Sequence, residues 1–280
     1  MKNRIGYIQG RLVDQIDEKI QAFPEKSWRD EFPIAKQIGL GLIEWTLDDY
    51  QLMRNPFCTD LGQHEIRDLS QKFSIGMDSV TGDCFMQAPF WKSTGSEQAQ
   101  LLSKLELVIQ SCVALKVKYI VVPLVDNGRL ENVKQYNELY RLLMDRIDML
   151  RNSGVCIAFE SDFPPDKLRD FISTYPADCF GINYDIGNSA SLGFDPEKEM
   201  SAYSPRIINV HVKDRKVGGT TVPLGSGAAK VKEVFNGLKD VQYPGNFILQ
   251  TARAVNCSHE EALVRNFTWT IEKLEAHFGP

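Results

Sequence analysis

The chain has 280 residues, 43% of them apolar and 25% charged, the balance of a water-soluble globular fold with a sizeable core. Its 37 acidic residues outnumber its 32 basic ones, and the net charge of −5 argues against general nucleic-acid binding, which needs a basic face. No stretch nears the roughly 18 unbroken apolar residues of a membrane span, and the first residues lack the apolar run of a signal peptide, so a cytoplasmic protein without membrane or nucleic-acid partners is expected.

Strand-like and helix-like segments alternate along the chain. Residues 4–9 read as the first strand, followed by a helix over 27–38 with Ser27 as its N-cap. The second strand spans 41–46 and a short helix 63–73. The third strand spans 74–80, then a long helix 96–116 with Leu101, Leu105, Val108 and Cys112 at helical period. The β-branched run 118–123 is the fourth strand, and a single helix covers 132–152, closed by Gly154. Residues 155–160 form the fifth strand, and Pro164 opens a helix running to about 174. The sixth strand is 179–185, with a short helix near 196–203, and the seventh is 207–212. A Gly-rich loop at 218–227 leads to a helix at 229–238, the eighth strand at 246–251 and a last helix at 258–277. Eight βα units with no linker predict one domain over 1–280, an α/β protein built as a (β/α)8 TIM barrel rather than an open sheet.

Four donors fall at corresponding places in this pattern. Glu160 and Asp185 end the fifth and sixth strands, His211 lies in the seventh, and Gln250 is at the end of the eighth. Parallel neighbours bring such positions together at the C-terminal mouth of a barrel. Any one of them alone would more often be a solvated or structural side chain. Four on successive strands favour a shared site for one divalent ion, Mn²⁺, Mg²⁺, Co²⁺ or Zn²⁺, from a mixed oxygen and nitrogen set. Lys213, Arg215 and Arg253 are candidates for gripping a substrate oxyanion or phosphate. Gln9, Arg11 and Glu44 are expected at the pocket rim, and Asp78 and Asp83 at or beyond the end of the third strand. Trp45, Phe85 and Trp91 are read as an apolar wall for a sugar ring, with barrel packing as the other reading of Trp45 and of Trp28. The loop 218–227 lacks the spacing of a phosphate-binding motif and reads better as a lid. Cys58, Cys84, Cys112, Cys156, Cys179 and Cys257 form no CxxC pair and read as reduced thiols.

Several fragments, in order, carry a resemblance: Tyr7-Ile-Gln-Gly-Arg-Leu, Ile43-Glu-Trp, Ala158-Phe-Glu, Tyr184-Asp-Ile-Gly-Asn, Asn209-Val-His-Val-Lys-Asp-Arg, Val222-Pro-Leu-Gly-Ser-Gly and Phe247-Ile-Leu-Gln. With them the chain resembles the xylose-isomerase-like barrel superfamily, the sugar isomerases and epimerases related to the AP endonuclease family 2 fold. The resemblance implies that Glu160, Asp185, His211 and Gln250 hold the metal. It also implies a small-molecule sugar or sugar phosphate as substrate, and a homo-oligomer. In the superfamily's ketose 3-epimerases the first and last of these positions are glutamates that exchange protons on the two faces of the sugar. Gln250 cannot ionise, which leaves Glu160 as the catalytic base. Asn188 replaces a sugar-contacting histidine and keeps the capacity to hydrogen-bond a hydroxyl. The DNA-cleaving relatives use many histidines, whereas this chain has only His64, His211, His259 and His277. The expectation is a metal-dependent isomerase or epimerase working through an enediolate. The alternatives are a metal-dependent dehydratase of a keto-polyol and a non-catalytic carbohydrate-binding barrel.

Overall fold

Short buried runs rich in Val, Ile and Phe are too brief for helices and are flanked by helix caps, so each folds as a strand covered by the helix that follows. A computed structural model describes residues 2–17 and 19–279. The barrel strands are β1 (Ile5–Ile8), β2 (Leu42–Thr46), β3 (Ser79–Thr81), β4 (Tyr119–Leu124), β5 (Cys156–Ser161), β6 (Phe180–Asp185), β7 (Ile207–Val212) and β10 (Phe247–Leu249). They close in the order β1-β10-β7-β6-β5-β4-β3-β2, and every neighbouring pair is parallel. The expected (β/α)8 barrel is the fold. A two-stranded antiparallel ribbon, β8 (Asp214–Arg215) with β9 (Thr221–Val222), sits outside the barrel, with β9 inside the segment 218–227 expected to be an irregular loop.

The helices are α1 (Glu31–Ile38), α2 (Asp60–Phe73), α3 (Asp83–Gln87), α4 (Gly95–Leu115), α5 (Val133–Met144), α6 (Ile147–Ser153), α7 (Pro165–Ser173), α8 (Ile186–Leu192), α9 (Pro196–Tyr203), α10 (Val231–Asp240) and α11 (His259–Phe278). Their starts follow capping chemistry. Thr59, Asn132, Asp185 and Asp195 accept from first-turn amides, and Ser258 with Glu261 forms a capping box at α11.

Two helices differ from the sequence reading, the first for a local reason and the second at a tertiary contact. The first begins at Glu31 rather than Ser27, because Pro33 has no N–H and its ring excludes a helical carbonyl four residues earlier. The stretch 132–152 is two helices, α5 and α6. At the break the Arg146 side chain donates to Glu106 Oε1 on α4 (2.9 Å) and to the Leu142 carbonyl (3.0 Å). The short helices α3 and α8 were not anticipated.

The helix layer seals the barrel through aromatic clusters. Phe159 on β5 and Phe180 on β6 stack at 6.0 Å, and Phe171 and Tyr175 pack edgewise or tilted against them. Trp45, Phe85 and Trp91 belong to this core. Trp45 lies 5.7 Å from Phe23 and 5.3 Å from Trp28, and its indole N–H donates to Asn55 Oδ1. The packing reading of Trp28 and Trp45 therefore holds, and Phe85 and Trp91, expected as a sugar wall, are core residues as well.

Candidate active site

Alternation along a strand sends every second side chain into the barrel. On β6 those are Asn183 and Asp185; on β7 they are Asn209 and His211, with Lys213 next in the same series. Register pairs Asp185 with His211 and His211 with Ile248, so β5, β6, β7 and the end of β10 deliver their donors at neighbouring heights. One ligand atom each from Glu160, Asp185 and His211 lie within 4.8 Å of one another, and all three residues are buried.

Below these donors the polar groups form a chain of hydrogen bonds. The His211 Nε2 faces Glu44 Oε1 at 2.7 Å, while its Nδ1 lies 3.3 Å from Glu160 Oε2. Ser79 Oγ and Asn209 Nδ2 donate to Glu44 Oε2 at 2.6 and 2.9 Å. Asn183 Nδ2 donates to Glu160 Oε2 at 2.7 Å. Burial opposes charge on His211, but the Glu44 carboxylate, aided by Glu160, outweighs it and raises the imidazole above its ordinary value. Burial likewise works to raise Glu44, and the His211 charge, with bonds from His211, Ser79 and Asn209, holds it below the usual carboxylate range.

Above the donors, the cavity contacts take over. Asp185 caps α8, its Oδ1 accepting the Asn188 N–H at 2.8 Å. The close approach of α8 to β7 needs Gly187: a Cβ there would stand 2.6 Å from Lys213 Cγ. Lys213 Nζ bridges Asp185 Oδ2 and Gln250 Oε1, at 3.0 Å each. Asn188 Nδ2 donates to Glu160 Oε1 at 2.8 Å, and its Oδ1 accepts from Arg215 at 2.9 Å. These residues open onto a cavity of about 470 Å³, whose wall includes Glu160, Asn188, Lys213, Arg215 and Gln250.

Three expected substrate contacts stand elsewhere. Glu44 is fully buried beneath His211 rather than at the rim. Gln9 is also fully buried, its Oε1 accepting the Thr46 N–H at 3.1 Å. Arg253 is spent on the loop after β1, donating to the carbonyls of Gly10, Val13 and Ile20. Arg11 is committed in the same way, to the carbonyls of Thr251 and Ile20 and to Gln21. Asp78 lies at the opposite end of the barrel, bonded to Asn246 and Lys118. Asn183 and Asn209 escaped the sequence reading although strand alternation places them two residues before Asp185 and His211.

The donor set suits a divalent ion. Two carboxylates and an imidazole converge, the Lys213 ammonium already bridges Asp185 and Gln250, and Glu44 fixes the ring of His211 as carboxylates do behind metal-bound histidines.

Residues 32–273 match the family described as xylose isomerase-like TIM barrel. The chain belongs to that family. It is 24% identical over 255 residues to the L-ribulose-5-phosphate 3-epimerase UlaE of Salmonella typhi, covering 86% of this chain and 88% of the relative. It is 23% identical over 232 residues to the same-named protein of Escherichia coli O1:K1 / APEC, covering 80% and 81%. Among solved structures, a D-psicose 3-epimerase in the presence of D-fructose aligns over 99% of this chain and all of that one, at TM-score 0.76 and 11% identity. The IOLI protein with a binding zinc atom gives TM-score 0.75 at 15% identity, over 99% and 100%. Members of the xylose isomerase-like family thus include sugar epimerases, in line with the isomerase-class enzyme expected from the sequence.

Proposed function

We propose that this protein is a metal-dependent ketose or ketose-phosphate epimerase or isomerase whose base is Glu160. The observation that carries the reading is the convergence of Glu160, Asp185 and His211 within 4.8 Å at the strands' C-terminal ends, where Glu160 lines the cavity. These three, with the Gln250 amide oxygen, would hold the ion. The ion supplies Lewis-acid polarisation of the substrate's carbonyl and hydroxyl oxygens. Glu160 takes the proton from the carbon beside the carbonyl. Asn183 and Asn188, each bonded to one of its oxygens, hold the carboxylate in place. Lys213 and Arg215 present cations to the oxygens of the substrate from the β7 side. Asn188 offers an amide to a substrate hydroxyl.

The relatives suggest the first substrates to try: L-ribulose 5-phosphate, D-fructose and, from the D-psicose 3-epimerase of Clostridium cellulolyticum H10 solved with it, D-tagatose. The protein is taken to act in the cytoplasm, and the homo-oligomer implied by the family resemblance goes with this reading. Incubation of the Mn²⁺-loaded protein with each ketose, followed by sugar analysis, tests it. The expected result is an epimer or aldose from at least one of them, reduced at least about 100-fold in Glu160→Gln. Turnover of one of these ketoses that survives Glu160→Gln would remove Glu160 from the chemistry. Loss of water instead of proton return would appear as the ultraviolet absorbance of an unsaturated carbonyl.

A further inference from the structure

Charge in the cavity wall is sorted by side. Asp83 follows β3, Asp126 follows β4, and Glu160 and Asp162 belong to the end of β5, while Lys213 and Arg215 stand on the β7 side. Asp162 neutralises Arg129, and Asp185 neutralises Lys213. Among the described residues of the wall, Arg215 is the cation left without a carboxylate partner. Asp214, its neighbour in the chain, is spent on the amides of Gly225, Gly227 and Ala229. An anionic group on a substrate is repelled from the β3–β5 side and drawn to Arg215.

We propose that Arg215, with the hydroxyls of Thr220 and Thr221, forms a phosphate subsite, so that the substrate is a phosphorylated ketose and the free sugar is the poorer one. The inference rests on the enzyme reading above and narrows its substrate class.

The guanidinium is fixed in place before any ligand arrives. Its Nε and Nη2 donate to the Gly219 carbonyl at 3.1 and 2.8 Å, and its Nη1 donates to Asn188 Oδ1 at 2.9 Å. One N–H on each terminal nitrogen is left over, a pair suited to two oxygens of one phosphate. The ribbon that carries Arg215 is itself anchored. The Gly218 N–H donates to the Ser191 carbonyl on α8 at 2.8 Å, and the Ala228 N–H donates to the Arg215 carbonyl at 2.8 Å.

The hydroxyls come from the facing strand. Register pairs Arg215 with Thr221, and residues directly opposite on antiparallel strands share a face. Thr220 and Thr221 line the same cavity, and among the described residues neither hydroxyl has a hydrogen-bond partner. Two N–H groups and two hydroxyls match the three terminal oxygens of a phosphate better than the two of a carboxylate. Asn188 joins this subsite to the reacting end, its Nδ2 standing 2.8 Å from Glu160 Oε1 and its Oδ1 2.9 Å from Arg215 Nη1. One amide group of separation fits a sugar whose reacting carbon lies at Glu160 and whose phosphate sits a few bonds further along.

The test compares L-ribulose 5-phosphate with L-ribulose on the Mn²⁺-loaded wild type, Arg215→Met and Thr221→Val. The wild type is expected to prefer the phosphate ester by at least about 100-fold in kcat/KM, and Arg215→Met to cut that preference at least about 10-fold. The ratio cancels any loss common to both substrates, including one passed through Asn188 to Glu160. Thr221→Val, a near-isosteric change, should raise KM for the phosphate ester about threefold or more and leave KM for the free ketose unchanged. A wild type that turns over L-ribulose as well as its phosphate, or a preference that survives Arg215→Met, overturns the proposal. Calorimetric titration of the loaded proteins with inorganic phosphate separates this failure from that of the enzyme reading. If neither sugar reacts, the proposed function falls, yet phosphate bound at least about 10-fold more weakly by Arg215→Met still supports the subsite. Equal phosphate binding by the two proteins removes it.

Discussion

The residue that does most to define the site is one that touches no substrate. Glu44 sits under His211 with its Oε1 2.7 Å from the ring, and its Oε2 is held by Ser79 and Asn209. It fixes the ring orientation that turns Nδ1 toward Glu160. Glu44→Gln keeps the size and removes the charge. Divalent-ion affinity is expected to fall about 10- to 100-fold, as it does when the partner of a metal-bound histidine is lost. Calorimetric titration with Mn²⁺ would show it, and unchanged affinity would mean that the histidine is held by packing alone. The chemistry of the four strand-end donors was legible in the sequence because each follows a short apolar run. The role of Glu44 was not: it lies 167 residues from His211, and only closure of the barrel brings β2 and β7 face to face. Asn183 and Asn209 were legible in principle, through alternation with Asp185 and His211.

At the scale of elements, the segment after β7 carries the next prediction. The Gly-rich loop was read as a lid, and its amides are organised by a side chain. Asp214 accepts from the N–H groups of Gly225 (3.0 Å), Gly227 (2.8 Å) and Ala229 (3.0 Å). A Cβ on Gly227 would stand 2.2 Å from Asp214 Oδ1, so the glycine is required by this embrace. Thr220 and Thr221, at the β9 end of the ribbon, line the cavity. Asp214→Ala strands three amides and is expected to loosen the loop, costing roughly 1–3 kcal/mol locally. Limited proteolysis should then cut within 216–228 faster than in the wild type; an unchanged cleavage pattern would mean that β8 and β9 alone hold the loop. Sequence periodicity recovered the strands well because a buried parallel strand is a dense apolar run. It failed where tertiary contacts decide. Nothing local to 145–146 announces the break between α5 and α6, whereas Pro33 is a local signal for the late start of α1 that the reading of 27–38 passed over.

For the molecule as a whole, buried carboxyls tie stability to pH. Glu31 clamps the loop after β1 by accepting from Gly10 (2.8 Å) and Leu12 (3.2 Å), and burial, opposed by those bonds and by Arg253 and Arg11, pushes it up to about 8. Asp83 is raised in the same sense. A carboxyl raised on folding binds more protons in the native state, so its contribution is full below the unfolded value and is lost as pH rises through the folded one. For Glu31 that window runs from 4.5 to about 8. Calorimetry of chelator-treated protein should therefore give a lower Tm at pH 8.5 than at pH 6, by at least about 2 °C. Glu31→Gln, which keeps an acceptor for both amides, should flatten the difference, and an equal drop in the variant would place the pH dependence in other groups.

The central claim is that one divalent ion, held by Glu160, Asp185 and His211, makes this barrel exchange protons at a carbon beside a carbonyl. Proton NMR in heavy water, with the most reactive ketose of the panel, tests it most directly when run on the same sample as loaded with Mn²⁺, stripped with EDTA and reloaded. The account predicts deuterium incorporation that stops on stripping and returns on reloading. Exchange that continues undiminished without the ion, or that never occurs in the loaded protein, would contradict it.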